Sequence, residues 1–304
     1  MEECLKQSIV GGCSKNQHGP LESWDVSAVN DLSEMFAGKE WFNADISRWN
    51  VSNVTDMHGL FRGAKWFTRD ISKWDVSHVT NMREMFCEAK VFKGDISKWD
   101  VSRVTNVERM FSGAKYFNSD ISKWDSSAIT NMAMMFTGAE TFNVPISKWD
   151  VSHVTNMYAV FWGAKLFKAN IPQWDVSRVT TMRYMFADAR SLNADLSKWN
   201  VTRVTNMEAM LEGAILFNAD ISKWDVSRVT VMKKMFSRSV SFNADISEWD
   251  VSRVTNMEKM FLGASLFDAD ISEWDVSRVI LMPGCSVRQK HSTWTSPIGT
   301  CQAS

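Results

Sequence analysis

Three groups of residues in this chain have types and spacings that could do chemistry. Aspartates at 45, 70, 95, 120, 195, 220, 245 and 270 recur just before Ile or Leu, and a regular column of carboxylates raises the thought of calcium, as in Asp-bearing repeat turns. Those turns are Gly-rich nonapeptides, which this one is not. Pro145 and Asn170 interrupt the series, so the expected role of each Asp is to hydrogen-bond its own turn. Methionines at 57, 82, 132, 157, 182, 207, 232 and 257 could offer soft metal ligands, but Val107 stands in the same series and cannot ligate; core filling is the better reading. Of the 5 cysteines, only Cys87 lies centrally. Cys4 and Cys13 flank one end and Cys285 and Cys301 the other, a pattern that fits one disulfide per end or, in a reducing compartment, four free thiols. No His stands at ligand spacing to Cys4 and Cys13, and His291 alone makes no zinc set. No nucleophile elbow, phosphate loop, dinucleotide fingerprint or metal motif is present. The sequence therefore predicts a protein that is not an enzyme and needs no cofactor.

What positions these residues is a repeat. Trp occurs at 24, 49, 74, 99, 124, 149, 174, 199, 224, 249 and 274, always 25 residues apart. The consensus W-D-V-S-x-V-T-N-M-x-x-M-F-x-G-A-x-x-F-N-x-D-I-S-x keeps that phase without insertion or deletion, the signature of a stacked array. In the unit beginning at Trp49, Trp49 and Val51 alternate as on one face of a strand, whereas Val54, Met57, Leu60 and Phe61 fall at helical spacing with Thr55 as a plausible N-cap. The predicted fold is an α/β repeat: a leucine-rich-repeat-like solenoid with one short parallel strand and one short helix per 25-residue coil. Residues 1–23 would form an N-terminal cap, 24–282 about ten repeats, and 283–304 a C-terminal cap or tail. The Trp ladder is expected to be core, because stacked coils can bury a face that one coil cannot.

Equal positions in stacked coils form surface columns. One reads Arg48, Lys73, Lys98, Lys123, Lys148, Gln173, Lys198, Lys223, Glu248, Glu273, beside a column that is Asp or Asn throughout. The two either neutralise each other or bind a charged ligand on a concave sheet face. Another column ends in five consecutive arginines, Arg178, Arg203, Arg228, Arg253 and Arg278. These either pair with the nearby aspartates or form a stripe for a sulfated glycan, a phosphate or an acidic protein. Large residues that break the column rule, Trp41, Trp66, Tyr116 and Trp162, are candidates for a contact patch or for local packing.

The spacing I-x-x-W-x-V-x-x-V resembles the strand segment of leucine-rich repeats. The whole 25-residue unit resembles the BspA-like leucine-rich-repeat proteins, in their W-D-V-S-x-V-T-x-M-x-x-M-F subtype found in mycoplasma surface lipoproteins and marine protists. That resemblance implies a solenoid and, for the bacterial members, surface display and adhesion, and it brings no catalytic residues with it. Formal net charge is −1, so no overall field favours nucleic acid, and no stretch approaches the roughly 20 apolar residues that cross a bilayer. The first residues carry charges at Glu2, Glu3 and Lys6 and do not read as a secretory signal. The expected function is a protein-interaction or adhesion module binding another protein or an acidic glycan, with an extracellular or cell-surface setting slightly favoured. The alternative is a structural subunit within a larger assembly.

Overall fold

The computed structural model describes residues 19–284, together with 294–296 and 299–301. The chain divides into two units, Met1–Val144 and Pro145–Ser304. Each is a stack of 25-residue coils, but the coils are built from neither helices nor strands. Among the described residues the regular elements are one turn of 3-10 helix, Leu21–Ser23, and two strands, β1 (Trp294–Ser296) and β2 (Gly299–Cys301), which pair antiparallel with Trp294 opposite Cys301. The expected leucine-rich-repeat coil, with its strand and helix, is therefore wrong. The expected concave sheet has no strands to form it.

The coil at Trp49–Lys73 shows what replaces them. The amides of Met57, Gly59, Phe61 and Gly63 donate to the carbonyls of Asn81, Arg83, Met85 and Cys87 in the next coil, at 3.0, 2.8, 2.8 and 2.7 Å. The alternate amides of Leu60, Arg62 and Ala64 turn back three residues, to Met57, Gly59 and Phe61, at 3.2, 2.9 and 2.9 Å. A helix would send every amide four residues back. Here every second amide serves a neighbouring coil, and left-handed residues at Gly59 (φ 60) and Gly63 (φ 74) let the chain alternate. The supposed strand is likewise broken by two turns, closed by Trp49 N–H to Ile46 (3.1 Å) and Val54 N–H to Val51 (2.9 Å). Thr55 caps no helix; its hydroxyl donates to the Asn30 carbonyl of the coil before, at 3.2 Å. Coils pair in parallel only at isolated positions, Asp31–Asp56 through to Asn106–Asn131 in the first unit and Asn156–Thr181 through to Asn256–Leu281 in the second.

This turn chain explains the apolar spacing that imitates a helix. Ile46 and Trp49, Val51 and Val54, Met57 and Leu60, and Phe61 and Ala64 each bracket one turn, and all eight are buried. A turn closed by an i to i−3 bond puts both its ends on the inner side, so three-residue spacing recurs without a helix.

The core is aromatic and stacked, as the Trp periodicity predicts. Within a coil the two phenylalanines lie face to face, for example Phe86–Phe92 at 4.0 Å and Phe161–Phe167 at 4.0 Å. Between coils they repeat at wider spacing, Phe86–Phe111 at 5.7 Å. In the second unit the indoles of Trp174, Trp199, Trp224, Trp249 and Trp274 form a column 6.3–6.5 Å apart. Each buried indole N–H reaches one coil back: Trp74 to the Ile46 carbonyl (3.2 Å), Trp199 to Ile171 (3.1 Å), Trp224 to Leu196 (3.0 Å). Trp49 finds Leu21 at 3.1 Å, so the 3-10 turn supplies the carbonyl that an earlier coil would have given. The methionine column is buried core, including Val107 in its place.

Candidate functional site

Most polar side chains of the repeat serve the scaffold. Asp45, Asp70, Asp95 and Asp120 each accept the backbone N–H of the Ser two residues on, at 2.9–3.0 Å, and Asp195, Asp220, Asp245 and Asp270 do the same in the second unit. The Asp after each Trp repeats the motif: Ser102 N–H to Asp100 and Ser177 N–H to Asp175, both 3.0 Å. At Asp100, Asp175 and Asp195 the Ser hydroxyl and amide together hold the carboxyl below the usual aspartate range. A third turn uses Asn81, Asn106 and Asn206 in the same way.

Arg178, Arg203, Arg228, Arg253 and Arg278 are all exposed, one per coil. Their expected carboxylate partners are already engaged. Asp175, Asp250 and Asp275 hold Ser177, Ser252 and Ser277, and feel the guanidinium only through space. Arg203 has only the neutral Asn200 in that place, which holds Thr202 identically, amide at 3.2 Å and hydroxyl at 2.7 Å. Among the described residues none of the five has a carboxylate within 4.0 Å. Lys73, Lys98 and Lys123 are exposed; the Asp three residues before each has its pKa lowered chiefly by its Ser hydrogen bonds, with the lysine charge adding a lesser share. Lys148 is exposed too, but Pro145 takes the place of that Asp.

The unmatched aromatics fall into two groups, one in each unit. In the first, Trp41 and Trp66 stack across neighbouring coils at 5.6 Å and 7°, yet are 49% and 48% exposed. Tyr116 shares their column, with the Lys93 ammonium 5.3 Å and the Lys115 ammonium 5.9 Å from its ring centre. In the second unit Trp162 meets Tyr184 at 5.4 Å, and Tyr184 meets Tyr158 edge-on at 6.2 Å. The Arg183 guanidinium lies 5.9 Å from the Tyr158 ring and 5.8 Å from the Tyr184 ring, anchored by Glu208 at 2.8 and 3.0 Å. Tyr184 also donates its hydroxyl to Glu208 at 3.3 Å, and desolvation with that carboxylate raises its pKa. The sequence singles out Trp162 but not its companions. The signal was there: of the 3 tyrosines in the chain, two fall in adjacent coils at positions that no Trp, Tyr or Phe occupies in the other coils.

A denser ion-pair network surrounds Glu84, whose carboxylate lies 3.4–3.7 Å from Arg62, Arg83 and Arg109. Cys87 beside it is buried, and desolvation raises its thiol pKa, so it is no candidate nucleophile. Cys4, Cys13 and Cys285 lie outside the described residues; Cys301 is described only by its backbone in β2. Among the described residues no three His, Cys, Asp or Glu side chains gather as a metal would require, and no helix is long and apolar enough to cross a membrane.

Stacked identical coils with a scaffold-committed polar inventory and variable outer positions define a repeat protein. The chain belongs to the family described as "Mycoplasma protein of unknown function, DUF285", which matches it three times, over residues 6–122, 92–199 and 189–293. No curated protein and no solved structure matches it.

Proposed function

We propose that this chain is a non-catalytic interaction module, an adhesion-type repeat protein related to the BspA-like surface proteins, whose outer positions contact another protein. The observation that carries this reading is the cluster of Trp162, Tyr158, Tyr184 and Arg183 in the second unit. Trp, Tyr and Arg are the residue types that dominate binding energy at protein contacts. Equivalent positions elsewhere carry Ala37, Ala133 and Lys234, so the coil does not require aromatics there. A catalytic reading finds little support, since catalysis needs one site unlike the rest and the acids and hydroxyls here repeat coil after coil in the same turns.

The test imports residues the repeat already tolerates: Trp162→Ala, Tyr158→Ala and Tyr184→Lys. Partners of the full chain are captured by cross-linking on intact cells, identified, purified and titrated against both proteins. The triple variant is expected to weaken the captured partner at least about 100-fold, since truncating hot-spot residues costs ~2 kcal/mol or more each. A partner bound equally well by the variant refutes the cluster as the contact.

A second reading, a subunit of an assembly, is favoured by another column of the same unit. Leu166, Leu216 and Leu266 are 52%, 53% and 59% exposed in one column, next to Ile215 and Val240. Exposed apolar patches of this kind mark association surfaces. A light-scattering mass that falls from oligomer to monomer on Leu216→Ser and Leu266→Ser would favour it.

A further inference from the structure

We propose that the arginine column Arg178, Arg203, Arg228, Arg253 and Arg278 is a binding stripe for a linear sulfated polysaccharide. This is a second site, independent of the aromatic cluster.

Four observations lead there. The column is not a requirement of the coil: the same position is Ala28, Asn53, His78, Arg103 and Ala128 in the first unit and His153 at the start of the second, beside the same turn. Its guanidiniums are not tied up in ion pairs: the neighbouring Asp and Asn side chains point their oxygens at Ser and Thr, and although Asp175, Asp250 and Asp275 stay charged, no carboxylate among the described residues comes within 4.0 Å of the five. Its spacing is fixed by the backbone two residues on, where Thr180, Thr205, Thr230 and Thr255 each donate their amide to the equivalent carbonyl one coil back, all at 2.9 Å. Backbones paired in this way lie about 4.8 Å apart, so the stripe presents a guanidinium at every such step. Finally, from 178 onward the choice is Arg in five consecutive coils, the side chain that forks onto oxyanions, whereas over the same coils the lysine column mixes Lys, Gln and Glu.

The neighbouring column selects among polyanions. The hydroxyls of Thr180, Thr205, Thr230 and Thr255 donate to the carbonyl of the preceding coil at 3.1–3.2 Å while the residues stay at the surface. Each keeps its lone pairs for an incoming donor, such as a sugar hydroxyl. No Trp, Tyr or Phe stands in the Arg or Thr columns, so nucleobases would find no such ring to stack on beside the five arginines. Closely spaced cations with hydroxyl acceptors alongside fit a chain that alternates sulfates with sugar hydroxyls. An unsulfated polymer with one carboxylate per disaccharide, such as hyaluronan, carries its charges too sparsely to meet every coil.

The test uses the full chain with heparin, hyaluronan and a single-stranded DNA oligomer as probes. Arg203→Ala, Arg228→Ala and Arg253→Ala are combined in one variant, Ala being native at this position in two other coils. Lys73→Gln, Lys98→Gln and Lys123→Gln remove the same formal charge elsewhere. The wild type should bind heparin and leave hyaluronan and DNA much more weakly held. The arginine variant should lose heparin affinity at least tenfold, with a shallower dependence of log K on log salt, because fewer counterions are released. The lysine variant should keep most of its affinity. Absence of heparin binding, equal loss in the two variants, or DNA or hyaluronan bound as tightly as heparin would each overturn the proposal. The aromatic-cluster variant should bind heparin normally, so failure of one site leaves the other standing.

Discussion

Replacing Trp199 by Phe separates the two roles of the indole column. The Trp199 indole N–H donates to the Ile171 carbonyl at 3.1 Å in a buried setting. That carbonyl also accepts the turn amide of Trp174 at 3.3 Å, so removing the indole weakens its satisfaction without orphaning it. The hydrogen-bond loss is then about 1 kcal/mol rather than the ~1–3 kcal/mol of a fully stranded group. Phe can retain a six-membered ring between Trp174 and Trp224, both 6.5 Å away, but leaves the pyrrole's volume empty. Lost burial and the residual cavity add roughly 1–2 kcal/mol. The expected destabilisation is therefore about 2–3 kcal/mol for Trp199→Phe, against ~3–5 kcal/mol for Trp199→Ala. Urea unfolding followed by far-ultraviolet dichroism gives the difference, and slow hydrogen exchange of the indole proton should mark the wild-type bond. A Phe variant within about 0.5 kcal/mol of wild type, the range of neutral surface changes, would refute the argument that the inter-coil indole bond anchors the stack.

Acid should loosen the coils, because the turn aspartates titrate lower in the folded chain than in the unfolded one. For Asp175 and Asp250 the Ser hydroxyl and then the Ser amide lower the pKa, so their stabilisation is present above the unfolded value near pH 4 and is lost as pH falls through the folded value. Asp175→Asn with Asp250→Asn keeps the acceptor, as Asn50 and Asn200 do natively, and should move the acid midpoint to lower pH; an unchanged or higher midpoint contradicts this. Glu88→Gly should stabilise the first unit by about 0.5–1 kcal/mol. Glu88 is exposed and left-handed at φ 59, a conformation costing ~1–2 kcal/mol in a residue with a Cβ, against ~0.5–1 kcal/mol of extra unfolded-state entropy for Gly. Thermal melts decide, and a clear loss of stability would show that no such strain exists there.

The period, the coil length and the buried columns of Trp and Met were legible in the sequence because they require only that equal positions meet. The local backbone was not. The spacing Val54, Met57, Leu60, Phe61 satisfies both a helix and a chain of turns, since each places residues three apart on one side. The discriminating signal is the left-handed position, and glycine marks it only partly: Gly59 and Gly63 are followed one coil later by Glu84 and Glu88 at φ 55 and 59. A residue type that can be Gly, Glu, Arg, Met, Ala, Tyr or Lys gives no punctuation to read. Inter-coil hydrogen bonds hold those residues in place, and such bonds belong to the stack rather than to any short window of sequence.

The same distinction governs the candidate sites. A column position can be read for function when the scaffold puts no demand on it. The position of Arg178 qualifies, because Ala, Asn and His occupy it without disturbing the adjacent Asx turn; chemistry that persists there has no structural source. The Ser column two residues after each Asp does not qualify, although its hydroxyls recur as regularly, because those residues close the turns. The Tyr158–Tyr184 pair was harder to foresee: the two tyrosines occupy different positions in successive coils and meet only because the coils stack. Uniform columns report the fold, and departures from them report the surface, but which departures are neighbours is set by the turn geometry between them.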